Sequence, residues 1–297
     1  MTRWGWTLGA TAVTAAAAIT ALAVSGAAWR RESARSVSRL LDLAPPHARD
    51  ADVAVDRVID GLPAPVARYI AFALAPDCVR VRATRVRWTG EFQMRPGAGW
   101  RPFDAEQHFT VGPPGFVWDA RIRMMPLVSV RVRDAYLGGQ GSMLGRAGGL
   151  VTVVEEGGTP EMAAGALTRW LGEAAWFPSA LVPDPTRDDA VHWEAVDDST
   201  ARATVTDGGT TVSADFHFAP TGEMTRMTAL RYRDVNGAGV PTPFEGRYGD
   251  YARRDGMMIP TSAEVAWLLP EQRFPYWRGR VARVEYECAR ERSGDVP

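Results

Sequence analysis

Residues 115–141 read GFVWDARIRMMPLVSVRVRDAYLGGQG, and the alternation within them organises the chain. Phe116, Trp118, Ala120, Ile122 and Met124 fall on one face of an extended strand, with Val117, Asp119, Arg121 and Arg123 on the other. Pro126 marks a reversal. Val128, Val130 and Val132 then alternate with Ser129, Arg131 and Arg133. The pattern predicts a two-stranded antiparallel ribbon with one apolar face and one face carrying four arginines. Other strands have to cover the apolar face.

The same period continues on both sides. VRVRATRVRWTGEFQMR from Val79 and WRPFDAEQHFTV from Trp100 predict a preceding hairpin. The glycines between Gly138 and Gly149 suggest a looser region before LVTVVEE. One helix then interrupts the strands. Thr159 is its predicted N-cap and Pro160 its first residue, and Ala163, Ala166, Leu167, Trp170, Leu171 and Ala174 form its apolar stripe. After a Pro/Asp loop, strands return at regular spacing from Val191 to Arg290, with turns at Asp207-Gly208, Thr221-Gly222, Asn236-Gly237 and Asp255-Gly256. Upstream, Val66, Tyr69, Ile70, Ala73 and Leu74 give LPAPVARYIAFALAP a helical apolar face that packs on the sheet or lies against a membrane. Asp52–Asp60 reads as a short helix stopped by Gly61. The expected fold is α+β: a large curved antiparallel sheet or unclosed barrel of about ten strands packed on one or two helices.

The N-terminus carries a different signal. Trp4–Trp29 holds 26 residues without a charge, more than the roughly 20 a spanning helix needs. Tryptophans stand at both ends, where an interfacial belt would lie. A cleaved signal peptide ending near Ser25-Gly26-Ala27 is the rival, but the apolar run exceeds a 7–15-residue signal core. The organisation that follows is a transmembrane anchor over 1–29, a juxtamembrane linker over 30–50, one domain over 51–290 and a disordered tail over 291–297. Arg30, Arg31, Arg35 and Arg39 outnumber the charges before the anchor, which favours a cytoplasmic domain.

Composition narrows the function. With 46% hydrophobic and 23% charged residues the chain has the make-up of a folded protein. A net charge of −1 gives no basic footprint for nucleic acid. Every basic residue is arginine, which removes Schiff-base and phosphate-loop lysines. Cys78 and Cys288 can pair only if the first and last strands meet, and two buried thiols are the simpler expectation. Ser142 lacks the flanking glycines of a nucleophile elbow, with Gln140 and Leu144 in their places.

Three constellations remain. Asp104, Glu106 and His108 share a strand face, and His217 shares another with Asp215. Glu106 and His108 are the candidate acid/base pair of a hydrolase, although no metal-ligand spacing supports them and a solvated strand face accounts for them equally. Arg121, Arg123, Arg131 and Arg133 can receive an anionic headgroup or pair across strands with acids. Arg231-Tyr232-Arg233-Asp234, Glu245-Gly246-Arg247-Tyr248 and Asp250-Tyr251 read as a ladder of surface ion pairs before a polar ligand site. The tryptophans fill the core first and line a cavity second.

WRPFDAEQHFTVGPPGFVWDARIRM, TDGGTTVS, RYRDV, PFEGRYGDY and EVAWLLP with FPYWRGR together resemble an uncharacterised bacterial family of unknown function, over Leu62 to Tyr286. That resemblance implies no reaction. In architecture alone the strand-and-helix order is similar to lipoprotein-carrier (Lol-type) open barrels, which implies a lipid-accepting cavity and an extracytoplasmic domain, against the arginine count. The resulting expectation is a cofactor-free binding domain in the bacterial cell membrane for an apolar ligand, a lipid or a lipidated partner. Trp118, Trp170 and Trp267 are its expected cavity walls, and Arg121 and Arg133 its headgroup contacts. The alternatives are the Glu106/His108 hydrolase and a non-catalytic envelope scaffold that presents a sheet edge.

Overall fold

The computed structural model describes residues 4–44, 59–76, 78, 80–126, 128–184 and 187–288, with side chains from residue 23 onward. Among them thirteen strands form one antiparallel sheet: β1 (Val81–Phe92), β2 (Arg101–Thr110), β3 (Gly115–Met125), β4 (Val128–Leu137), β5 (Gln140–Ala147), β6 (Val151–Gly157), β7 (His192–Asp197), β8 (Thr200–Asp207), β9 (Thr210–Phe218), β10 (Met224–Val235), β11 (Ala238–Arg254), β12 (Met257–Leu268) and β13 (Arg273–Cys288). Their order, β6-β5-β4-β3-β2-β1-β13-β12-β11-β10-β9-β8-β7, is two meanders joined by β1 and β13. The first and last strands therefore do meet, with Val81 opposite Cys288 and Phe92 opposite Trp277. The edges β6 and β7 are seven and six residues long, short enough to blunt edge pairing.

Among the described residues three α-helices accompany the sheet: α1 (Trp4–Leu43), α2 (Ala64–Ala73) and α3 (Pro160–Glu173). The predicted ribbon is present as β3 and β4, paired Phe116 to Tyr136 and Ile122 to Val130. Its apolar face turns inward onto α3, whose Leu167, Trp170 and Leu171 are buried together with Phe109 and Phe116. Thr159 caps α3 as expected, its hydroxyl oxygen accepting from the Met162 amide at 3.2 Å. Val66, Tyr69, Ile70 and Ala73 of α2 are fully buried in the same core, so this helix packs on the sheet. Gly222 makes that fit: a Cβ there would lie 2.9 Å from the Arg68 carbonyl oxygen.

The strand count exceeds the expected ten, chiefly because Gly138–Gly149 is not loose. It holds β5 between glycine pairs in the left-handed region, Gly138-Gly139 and Gly148-Gly149. Gly141 lets α3 seat on β5, since a Cβ would stand 2.3 Å from the Met162 carbonyl oxygen. The two arms of the sheet touch where Gly139 abuts Gly208 and the Tyr136 hydroxyl donates to Asp207 at 2.7 Å. The barrel stays unclosed at β6 and β7.

The N-terminal segment also differs. Residues 30–43, read as linker, belong to α1 and lie on the outer face of β3 and β4. Trp29 is fully buried there, and its indole N–H is shared by the Asp119 carboxylate oxygens at 2.9 and 3.0 Å. Glu32 pairs with Arg133 at 3.6 Å and Arg146 at 3.3 Å. Leu40 covers Val117 and Ala135, which buries residues that alternation alone assigns to a solvated face. Among the described residues no helix is long and apolar enough to cross a membrane; side chains 4–22 of the expected anchor lie outside them. Residues 52–58 of the expected Asp52–Asp60 helix and the tail 291–297 also lie outside the described residues.

Candidate functional site

α2, α3 and the 3-10 turns Ala174–Trp176 and Pro178–Leu181 fill one end of the barrel. Towards the other end a cavity of about 1100 Å³ opens between α3 and the inner faces of β3, β4 and β10–β13. It exceeds the roughly 300–1,000 Å³ usual for a small-molecule pocket. Its wall is largely apolar, with Trp118, Ile122, Met124, Val130 and Val132 on one side and Phe244, Val265, Trp267, Phe274 and Trp277 on the other.

Charge enters the wall at two places. At the floor, Arg169 of α3 donates to Asp134 at 2.5 Å and to Glu173 at 3.0 Å, and the Gln107 amide donates to Glu173 at 2.7 Å. The Trp88 indole donates to Gln107 in turn, at 3.2 Å. Burial disfavours the Arg169 charge, but Glu173 and Asp134 more than offset it and raise its pKa. For Glu173 burial prevails and raises the pKa, although Arg169 and Gln107 pull it down. The guanidinium also stacks over Phe116 and Trp118, 4.9 and 5.1 Å from their ring centres. This network is internally satisfied and holds α3 against β2 and β4.

The second place is β10, where Arg231 and Arg233 face inward and line the cavity. The Arg231 Nε donates to the Gly165 carbonyl at 3.0 Å and Nη1 to the Tyr276 hydroxyl at 3.3 Å. Phe244 and Trp267 lie 5.2 and 6.0 Å from its guanidinium carbon.

Of the residues singled out from sequence, Trp118 and Trp267 line this cavity. Trp170 does not; it is fully packed, with its indole donating to the Thr110 carbonyl at 2.9 Å. Arg121 and Arg133 are on the opposite face. Arg121 bonds Ser129 at 3.2 Å, and Arg133 lies under α1 against Trp29 and Glu32. The reason is the pleat itself: residues that alternate with Trp118 point away from any ligand that touches Trp118. Glu106 and His108 are on the outer face too. Arg85 holds Glu106 at 2.6 Å and Arg87 at 3.3 Å, with the His108 ring 3.8 Å away. Burial lowers the His108 pKa, although the Glu106 carboxylate opposes the shift. Asp104 pairs with Arg123 at 2.7 Å, and His217 contacts Thr200, Arg226 and Thr228 outside the barrel. None of these side chains meets the cavity. Glu245 does anchor an outer ion-pair ladder with Arg273, Arg247 and Arg226. Arg231, from the same predicted ladder, turns inward instead. No group of three or more His, Cys, Asp or Glu among the described residues is arranged to hold a metal.

Arg169 and Glu173 escaped the sequence reading, while Asp134 and Arg231 entered it as members of cross-strand ion pairs before any cavity wall. A signal was present for two: Asp134 continues the inward series Val130, Val132, and Arg231 the inward series Met227, Ala229. A charge in an apolar series marks a lined cavity or a buried pair.

No curated protein matches the chain. Solved structures resemble it weakly. A LolA-superfamily protein from Nitrosomonas europaea gives a TM-score of 0.40 at 9% identity, covering 75% of this chain and 92% of that one. A putative outer membrane lipoprotein-sorting protein domain from Vibrio parahaemolyticus gives 0.39 at 8%, covering 71% and 88%. A DUF1329 family protein from Desulfovibrio piger gives 0.40 at 11%, covering 78% and 93%. Such likenesses assign no function. The sequence match is of a different order, for residues 60–286 fit the family of unknown function DUF6920. It spans the sheet from β1 nearly to the end of β13, and the chain belongs to that family.

Proposed function

We propose that this protein is a membrane-anchored binding domain whose sheet encloses an apolar ligand, a lipid or the acyl part of a lipidated partner. The observation that carries this reading is the cavity of about 1100 Å³ with a mainly apolar wall inside an unclosed barrel. A densely packed protein interior rarely leaves such a space, and an acyl chain matches its chemistry.

The path of α1 supports the anchoring part. Along the outer face Gly26 lies beside Arg131, Trp29 beside Arg133, Leu40 beside Ala135 and Leu43 beside Gly138. The helix thus runs with β4 and crosses the sheet rim near Ser25, where that side chain meets Gly148. The uncharged part of α1 before Ser25, from Trp4 onward, extends past this rim. The same rim carries Met125, Leu150 and Val151, at 63%, 55% and 64% exposure, and Met94 and Met124 of the cavity lining. On this reading the cavity mouth faces the bilayer that holds the anchor.

The test is organic extraction of the full chain purified from native membranes, followed by mass spectrometry. A stoichiometric acyl lipid is expected, reduced when Val132→Trp fills the cavity. Recovery of no lipid, together with no binding of acyl probes, overturns the reading. Reporters fused to the C-terminus, one active inside the cell and one outside, assign the side of the membrane.

A further inference from the structure

Two of the four arginines that line the cavity have an acidic partner: Arg169 has Asp134 and Glu173, and Arg247 has Glu245. Arg231 and Arg233 have none within 4 Å among the described residues. The Arg231 guanidinium is nevertheless held firmly. Its two hydrogen-bond partners, the Gly165 carbonyl and the Tyr276 hydroxyl, are neutral, and aromatic rings flank it. Its Nη2 nitrogen has no protein partner among the described residues. Two further donors in the wall are unmatched, since Trp118 Nε1 and Arg233 Nε are buried without a hydrogen-bond partner. A cation beside an apolar space ordinarily carries a counter-charge, and an orphaned donor costs free energy that an acceptor restores. The carboxylates that also line the cavity are placed elsewhere. Asp134 and Glu173 belong to Arg169, Asp234 accepts from the Gly237 amide, Glu155 and Glu156 sit on edge strand β6, and Glu161 lies against Gly239.

We infer that the cavity takes an amphiphile with an acidic headgroup, a carboxylate or a phosphate, and that Arg231 receives that headgroup while the acyl portion fills the apolar space. A guanidinium presents paired N–H donors that match either anion. The neutral scaffold around Arg231 orients the group without neutralising it. This inference rests on the cavity being a ligand site, and it adds the ligand's charge and the residue that selects it.

The experiment uses the full chain in lipid nanodiscs with photo-crosslinking probes: a diazirine fatty acid, its methyl ester, and diazirine-labelled phosphatidic acid and phosphatidylcholine. Wild type is expected to label with the acid or with phosphatidic acid at least tenfold more than with the ester or phosphatidylcholine. The preferred acid identifies carboxylate or phosphate as the headgroup. Arg231→Gln should reduce acid labelling to the ester's level while ester labelling and melting temperature hold. Arg231→Lys, which keeps charge but loses the fork, should fall between them. Equal labelling within both pairs in wild type (acid with ester, and phosphatidic acid with phosphatidylcholine), or a preference for the acidic probe that survives Arg231→Gln, overturns the inference and leaves the apolar cavity standing. Absence of labelling by all four probes overturns the cavity reading, and the inference with it.

Discussion

At the scale of single residues, two buried glutamates carry opposite signatures. Burial raises the Glu173 pKa above its ordinary 4.5 despite Arg169. Its folded form therefore prefers the proton, and stability is lost as pH rises from the unfolded pKa through the folded one. Glu173→Gln should gain on wild type in urea melts as pH climbs through that window. Burial also opposes the Glu245 charge, but hydrogen bonds from Arg273 and Arg247 outweigh it and lower the pKa. Its contribution is present above the unfolded pKa and disappears as pH falls through the folded value, so the deficit of Glu245→Gln should vanish in acid. The same melts at pH 4 and pH 7 distinguish the two signs. Asp134→Ala removes one of two counter-charges from a buried guanidinium and is expected to cost about 3–5 kcal/mol. A similar melting curve for wild type and Asp134→Ala would show that Glu173 alone balances Arg169.

At the scale of elements, α1 is attached through its own small cluster. Leu40, Val117 and Ala135 are separate from the main core, and Trp29 is the largest buried side chain of the contact. Trp29→Ala loses the two Asp119 contacts and the guanidinium stacking from Arg133 and Arg146, a change of about 3–5 kcal/mol on the scale of large-to-small substitutions. Hydrogen exchange should then show residues 25–43 losing protection while β1–β13 keep theirs. Loss of protection across the sheet would mean that α1 belongs to the folding unit. The element also explains the arginine patch. Four guanidinium groups on one sheet face looked available to a ligand, yet Arg133 and Arg131 form the bed of a helix.

At the scale of the whole molecule, the rim with the cavity mouth and the rim crossed by α1 are the same. Bimane attached to Cys at position 128 or 150, in a chain lacking Cys78 and Cys288, should be quenched by headgroup-level spin-labelled lipids in nanodiscs. Bimane at position 221, on the turn between β9 and β10 beside α2, should not be. Equal quenching at both ends would mean that the barrel lies flat or that the mouth points away.

Local periodicity alone made much of the architecture readable. Side chains alternate across a strand and repeat along a helix, so the ribbon at 115–141, its inward face, the α3 stripe from Ala163 to Ala174 and the α2 face were legible without a structure. So was the exclusion of lysine chemistry. The remaining features come from contacts between residues far apart in the chain. Whether an outward face meets water or a helix is not encoded within the strand, so Arg133 was read as a headgroup contact or a cross-strand partner, and both it and Val117 are covered by α1. Which of many tryptophans lines a cavity depends on how far the helices fill the barrel, which is why Trp118 and Trp267 face the space and Trp170 does not. The Arg231 site needs β10, β11, β12, β13 and α3 together, and no local pattern reports the absence of a counter-charge.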